Sequence, residues 1–256
     1  MTDTTVLLDI RDSVAFITLN RPQAMNSLNL EMAKDLMDVA LHCETNAAVR
    51  AVILTGAGDA FCAGGDIKSF VTQGDQLPAY LKAVTAYLHT ALSCFTRMDA
   101  PVVAAVRGSA AGAGMSLACA CDLTVATESA RFTAAYTRIG LTPDGSLTYM
   151  LPRLIGVKRA LELTLTNRIL SAQEAYDWGI VTAVVPDGQE QLQAEALAHQ
   201  LAAGATGAFG ATKRLIHQGW GESLETQMMY ERQAISDQGA TANAQEGISA
   251  FPPHFM

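Results

Sequence analysis

Two short apolar runs rich in β-branched residues, Val6–Ile10 and Val14–Leu19, flank the polar triplet Arg11-Asp12-Ser13. That pattern predicts a β-hairpin, and Asn20-Arg21-Pro22 ends it. From Leu30 to Cys43 the apolar residues Met32, Leu36, Met37, Val39 and Ala40 recur at helical spacing. Asn29 suits the N-cap there, without a capping box because Met32 stands at the third position. Val49–Leu54 reads as a third strand. It runs into two glycine-bearing stretches, Thr55–Gly58 and Asp59–Ile67.

Leu77–Met98 predicts a long helix whose apolar face is Leu81, Val84, Leu88, Leu92 and Phe95, with His89 at the edge of that face. Val102–Val106 predicts a strand buried on both faces. Gly108–Gly114 reads as a loop almost bare of side chains, and Met115–Ala120 as a helix of small residues. Leu123–Ala126 predicts another strand, and Phe132–Leu141 reads as irregular. Gly145–Ile155 and Val157–Thr166 predict consecutive helices broken at Gly156. Ser171-Ala-Gln-Glu174 is a capping box opening a helix to Trp178, and Ile180–Val185 predicts a last strand. Beyond Pro186 the pattern is helical alone, over Glu190–Ala202, Ala208–His217 and Leu224–Ala240.

Composition narrows the function classes. Half of the 256 residues are apolar, enough for one large domain or one domain plus an appendage, and the net charge of −8 comes without a basic cluster. A nucleic-acid partner is therefore not expected. The stretch 99–122 has the length of a membrane span, but Pro101, Arg107 and three glycines interrupt it, so no membrane partner is expected. The five cysteines show no C-x-x-C spacing, and Met1–Asp12 is polar and acidic. Free thiols in a cytoplasmic protein are the expectation. The scattered histidines form no H-E-x-x-H, so no metal site is expected.

Two strand-to-glycine-loop units carry the candidate chemistry. A bare loop before a helix leaves the first-turn N–H groups open to an anion, or to an oxygen that becomes one during reaction. A dinucleotide fingerprint does not fit, because Leu117 stands where the third glycine would be. Close packing of small residues is the competing structural reading of the same stretch. Asp144, after Pro143, falls in a helix start, where a carboxylate either caps N–H groups or is free for chemistry.

Six stretches then decide the matter jointly. They are Asn20-Arg-Pro…Asn26-Ser-Leu, Phe61-Cys-Ala-Gly-Gly-Asp-Ile, Pro101-Val-Val-Ala-Ala-Val…Gly108-Ser-Ala-Ala-Gly-Ala-Gly, Leu151-Pro-Arg-Leu-Ile-Gly, Ser171-Ala-Gln-Glu-Ala…Trp178-Gly-Ile-Val and Glu246-Gly-Ile-Ser-Ala-Phe. In this order the chain resembles the enoyl-CoA hydratase/isomerase (crotonase) superfamily over nearly its whole length. The resemblance implies an α/β spiral of strand–strand–helix turns, residues 1–189, and a helical trimerisation region, residues 190–256. It also implies a homotrimer or dimer of trimers, an acyl-CoA thioester substrate and no cofactor beyond the CoA that the substrate carries.

The same resemblance assigns site residues. The two oxyanion-hole N–H groups fall on Gly65 and Ala113. Ala63, Asp66, Ile67 and Lys68 fall in the segment that contacts the CoA arm, with Gly112 beside the second loop and Tyr136 as pocket wall. The two glutamates by which hydratases handle water are Ser116 and Tyr136 here, and neither is a strong base. Asp144 matches the aspartate of the single-acid enoyl-CoA isomerases, including the ring-epoxide isomerase branch. It also matches the nucleophile of 4-chlorobenzoyl-CoA dehalogenase, and His89 lies at that enzyme's histidine. That enzyme's tryptophan, however, is Tyr136 here, and its bulky oxyanion-site aromatic is Gly65. The resemblance thus points to an isomerase with Asp144 as acid and base and His89 orienting Asp144 or water. Hydratase or dehalogenase chemistry and a non-catalytic acyl-CoA scaffold are the alternatives. Relatives commonly continue past Ala-Phe with Lys or Arg, whereas Ala250-Phe-Pro-Pro-His-Phe-Met256 has neither, so no basic contact to CoA phosphate is expected from that tail.

Overall fold

The computed structural model describes residues 4–250. The expectation for the 251–256 tail lies outside them. A six-stranded sheet forms the centre, in the order β1 (Val6–Arg11), β2 (Val14–Leu19), β3 (Ala51–Gly56), β4 (Val102–Val106), β6 (Leu123–Thr127), β9 (Ala183–Val185). The first pair is the expected antiparallel hairpin, and every later pair is parallel. A second, three-stranded sheet has the order β5 (Ser109–Ala111), β7 (Arg131–Thr133), β8 (Leu170–Ser171).

Alternation along the strands explains their continuous apolar runs. Val52, Leu54, Val102, Ala104 and Val106 face one core, shared with α1 (Leu30–Thr45) and α3 (Leu77–Arg97). Ile53, Val103, Ala105 and Val125 face the other, against Ala194, Ala198 and Ala202 of α8 (Glu190–Ala202). A parallel sheet covered on both faces needs apolar residues at every position. Each fully buried Leu or Phe, such as Leu88 and Phe95 of α3, contributes about 1.5–3 kcal/mol. Two caps match expectation: Asn29 Oδ1 accepts the Met32 N–H at 2.9 Å, and Ser171 with Glu174 forms the full capping box of α7 (Ala172–Asp177).

The spiral is visible in how successive turns contribute. β3 leads to Cys62, which bridges Ala110 of β5, and then to α2 (Ile67–Gln73) and α3. β4 leads to β5 and then α4 (Ala113–Ala120). β6 leads to β7 and then α5 (Leu147–Ile155) and α6 (Val157–Thr166). Each turn thus lends one piece to the large sheet and one to the small. These short pieces correct the sequence reading. Residues 109–111 are strand rather than bare loop, and α4 begins at Ala113, before Met115. Residues 131–133 are strand, and the strand expected from Ile180 begins at Ala183. The short helix α2 was not anticipated.

Behind α8 the chain continues as α9 (Thr206–Gly219), α10 (Leu224–Gly239) and α11 (Ala242–Ser249), the last also unanticipated. α8, the first helix of the region from residue 190 onward, packs on the sheet through its alanine face. α9 is pinned by buried Lys213. Its Nζ donates to Asp122 Oδ2 at 2.7 Å and to the carbonyls of Phe95 (2.9 Å) and Ala100 (3.1 Å). Among the described residues no helix is long and apolar enough to cross a membrane.

Candidate active site

Three turns of the spiral meet at one cavity of about 350 Å³. The first supplies Gly65. The Leu28 N–H donates to Gly64 O at 2.7 Å, and the Asp66 N–H donates to Leu28 O at 2.9 Å. Alternate peptide groups of an extended segment point to opposite sides. The Gly65 N–H therefore points away from Leu28, and among the described residues no backbone acceptor takes it.

The second turn supplies Ala113. Gly112 sits at φ +50°, ψ −119°, a conformation for glycine, and α4 starts immediately after it. The Ala113 N–H is then one of the first-turn donors that the helix cannot satisfy. The two turns touch through bare backbone: a Cβ on Gly64 would lie 3.0 Å from Ala111 O and 3.6 Å from Gly112 Cα. That contact seats Gly65 and Ala113 on the same cavity wall.

The third turn supplies Asp144. Gly145 follows it at φ +59°, and a Cβ there would meet Ser116 Cβ at 2.9 Å. Ser116 Oγ donates to the Asp144 carbonyl at 2.9 Å and lies 3.0 Å from Tyr136 Oη. One hydroxyl has one proton, so the chain runs from Tyr136 to Ser116 to the Asp144 carbonyl. Burial pushes the Tyr136 phenol up, and the neighbouring Asp144 carboxylate pushes it further, which keeps it a donor. The Asp144 carboxylate itself caps no helix: α5 has Ser146 at its N-cap, with no side-chain cap bond. Among the described residues Asp144 is the single carboxylate lining the cavity.

Apolar side chains make up much of the remaining wall, including Leu28, Phe70, Leu81, Val84 and Ile139. Cys62 lies directly behind it, and burial pushes its thiol up to about 11, so it is packing rather than a thiolate nucleophile. Of the residues singled out in the sequence, Ala63, Gly65, Ile67, Gly112, Ala113, Tyr136 and Asp144 line this cavity.

Three others do not. Lys68 is exposed outside it. Asp66 is buried, pairs with Arg21 at 2.8 Å and caps α2 by accepting the Ser69 N–H at 3.2 Å. Burial alone would push its carboxyl up, but the hydrogen bonds and charge of Arg21, with the Ser69 N–H, outweigh burial and hold it below the ordinary value. His89 lines a separate cleft of about 890 Å³, with Arg97 and His217. Phe70 and Arg138 line the cavity unflagged by any motif; the N-cap at Asp66 was the available signal for the helix that carries Phe70.

This arrangement brings two backbone N–H groups without a backbone acceptor, those of Gly65 and Ala113, and one carboxylate, Asp144, to one cavity. The enoyl-CoA hydratase/isomerase family pattern matches residues 9–254, and the chain belongs to that family, within the crotonase superfamily. It is 40% identical to a Rhodobacter capsulatus protein named "Probable enoyl-CoA hydratase", over 98% of this chain and 97% of that one. It is 36% identical to the 1,2-epoxyphenylacetyl-CoA isomerase of Escherichia coli, over 96% and 94%. Its fold matches the crystal structure of an enoyl-CoA hydratase from Polaromonas sp. JS666 with a TM-score of 0.92, at 33% identity and 96% coverage of both chains. The protein is thus an enzyme of a family that acts on acyl-CoA substrates.

Proposed function

We propose that this enzyme is an isomerase that moves a double bond within an enoyl-CoA, from the 3- to the 2-position or in a ring-derived analogue. The thioester oxygen lies between the N–H groups of Gly65 and Ala113. Asp144 removes a proton from C2, and the dienolate that forms is held by the two donors. Asp144 then returns a proton at C4. Each such donor contributes on the order of 3 kcal/mol to lowering the barrier. Every step moves a proton within one thioester, so no cofactor is needed beyond the CoA carried by the substrate.

The observation that carries this reading is the carboxylate inventory of the cavity. Hydration requires groups that activate and place a water, and the two positions concerned hold a Ser116–Tyr136 hydrogen-bonded pair. Asp144 alone remains, which suffices for moving a proton from one carbon to another. The exposed apolar residues Leu224, Met228, Met229 and Ile235 on α10 support a homotrimer or dimer of trimers. Free thiols at all five cysteines support a reducing cytoplasm.

The test is turnover of a panel of CoA thioesters in deuterium oxide, read by product mass and deuterium position. A 3-enoyl-CoA converted to the 2-enoyl isomer is the expected result. Water addition to a 2-enoyl-CoA without isomerisation supports a hydratase, and chloride release from chlorobenzoyl-CoA supports dehalogenation. Tight binding with neither turnover nor exchange supports a scaffold. Any of these three outcomes overturns the isomerase reading.

A further inference from the structure

The cavity and the large neighbouring cleft each contribute one side chain to a close pair. Asp144 lines the cavity and His89 lines the cleft. Asp144 Oδ2 and His89 Nε2 are 3.7 Å apart. The Gly145 N–H donates to the same Nε2 at 3.2 Å. An amide N–H can only donate, so Nε2 is an acceptor and the neutral ring carries its proton on Nδ1. A nitrogen lone pair therefore stands beside the carboxyl oxygen that the isomerase chemistry protonates. The Asp144 side chain is 24% exposed and that of His89 52%, so the imidazole is the wetter partner.

We propose that His89 is the hydrogen-exchange port of Asp144, linking the carboxyl group in the substrate cavity to the water of the second cleft. This rests on the isomerase reading above. The proton taken from C2 sits on Asp144 and has two fates. In one it is delivered to C4 directly. In the other it passes from Oδ2 to Nε2, leaving a carboxylate and an imidazolium. The Gly145 N–H then gives up Nε2, and attraction between carboxylate and imidazolium takes the place of that bond. Cleft water replaces the hydrogen on Nε2 of the imidazolium, one for one, and Nε2 passes the new hydrogen back to Asp144. That hydrogen reaches C4. Charge and atoms balance at each step, and water is the only further reactant. His89 does not touch substrate in this scheme; it positions and reloads Asp144.

The experiment reads the origin of the C4 hydrogen. The full chain turns over a 3-enoyl-CoA in deuterium oxide, and the reaction is stopped at low conversion. The wild-type enzyme is expected to place solvent deuterium at C4 in a measurable share of product. His89→Gln keeps an oxygen acceptor for the Gly145 N–H but cannot carry a proton. Its solvent-derived share is expected to fall at least about threefold, with the product keeping the substrate's own hydrogen. His89→Phe removes the acceptor as well and is expected to give the same low share at a lower rate. The share is a ratio within each turnover, so lost rate or lost folded protein does not change it. An unchanged share in both variants overturns this inference and leaves the isomerase reading standing. Wild-type turnover without solvent deuterium at C4 does the same. No wild-type turnover or exchange at all overturns both.

Discussion

Replacing Asp66 by alanine separates two roles open to a carboxylate that directly follows Gly65 of the cavity wall. In the structure it accepts the Ser69 N–H of α2 and pairs with Arg21 at 2.8 Å. Loss of an N-cap costs about 1 kcal/mol. Leaving the Arg21 guanidinium with the Ser27 carbonyl as its remaining partner costs about 2 kcal/mol more, the scale of a charged hydrogen bond. The sum, about 3 kcal/mol, lowers the melting temperature of a chain this long by about 6–12 °C. Asp66→Asn keeps the cap and forfeits the ion pair, so it is expected to lose about two-thirds of that amount.

The sign with pH follows from the depressed carboxyl. Its folded pKa lies below the ordinary 3.8. The stabilisation is therefore complete above that value and is lost as pH falls through the folded pKa. The gap in stability between wild type and Asp66→Ala narrows over that acid window. Thermal melts across pH, with KM for a CoA thioester measured well below the melt, provide the assay. An unchanged melting temperature with a tenfold higher KM would refute the argument and return Asp66 to direct substrate contact.

Asp144→Asn keeps the side-chain volume but removes the base, so kcat is expected to fall about 10²–10⁴-fold with KM changed little; steady-state kinetics at full rate would rule out the assigned role. Gly145→Ala puts a Cβ 2.9 Å from Ser116 Cβ at φ +59°, costing about 1–3 kcal/mol in urea unfolding. Adding Ser116→Gly relieves the clash but not the backbone strain, so recovery is expected to be partial. Lys213→Met strips Asp122 and two carbonyls of their shared donor and is expected to cost about 3–5 kcal/mol by thermal melt.

The large sheet was legible because most of its signals are long: five of its six strands have five or six residues, mostly apolar, and only β9 has three. The small sheet was not. β5, β7 and β8 are three, three and two residues long, too short for a period to register. They form because neighbouring turns offer them partners, which is information from the fold and not from the local chain. α2 was hidden for a related reason: seven residues, none buried, with only Asp66 to mark the start. At the site, the glycines and Asp144 were found through motifs and their order along the chain. The Tyr136–Ser116–Asp144 chain of hydrogen bonds was not, since it joins residues 20 and 28 positions apart. Nor does helical spacing reveal that His89 faces a different opening from its neighbour Asp144.

The crossing of Gly64 over Gly112 has a consequence for how this scaffold can diversify. Where two main chains touch with no side chain between them, their spacing is set by backbone contact and by the hydrogen bonds that hold each turn, Leu28 N–H to Gly64 O and Gly112 N–H to Thr133 O. Replacement of Leu81 or Ile139 reshapes the cavity wall without touching that crossing, whereas Phe70 packs directly on Gly65. The shape of the cavity and the backbone crossing beside it are thereby written in separate parts of the chain.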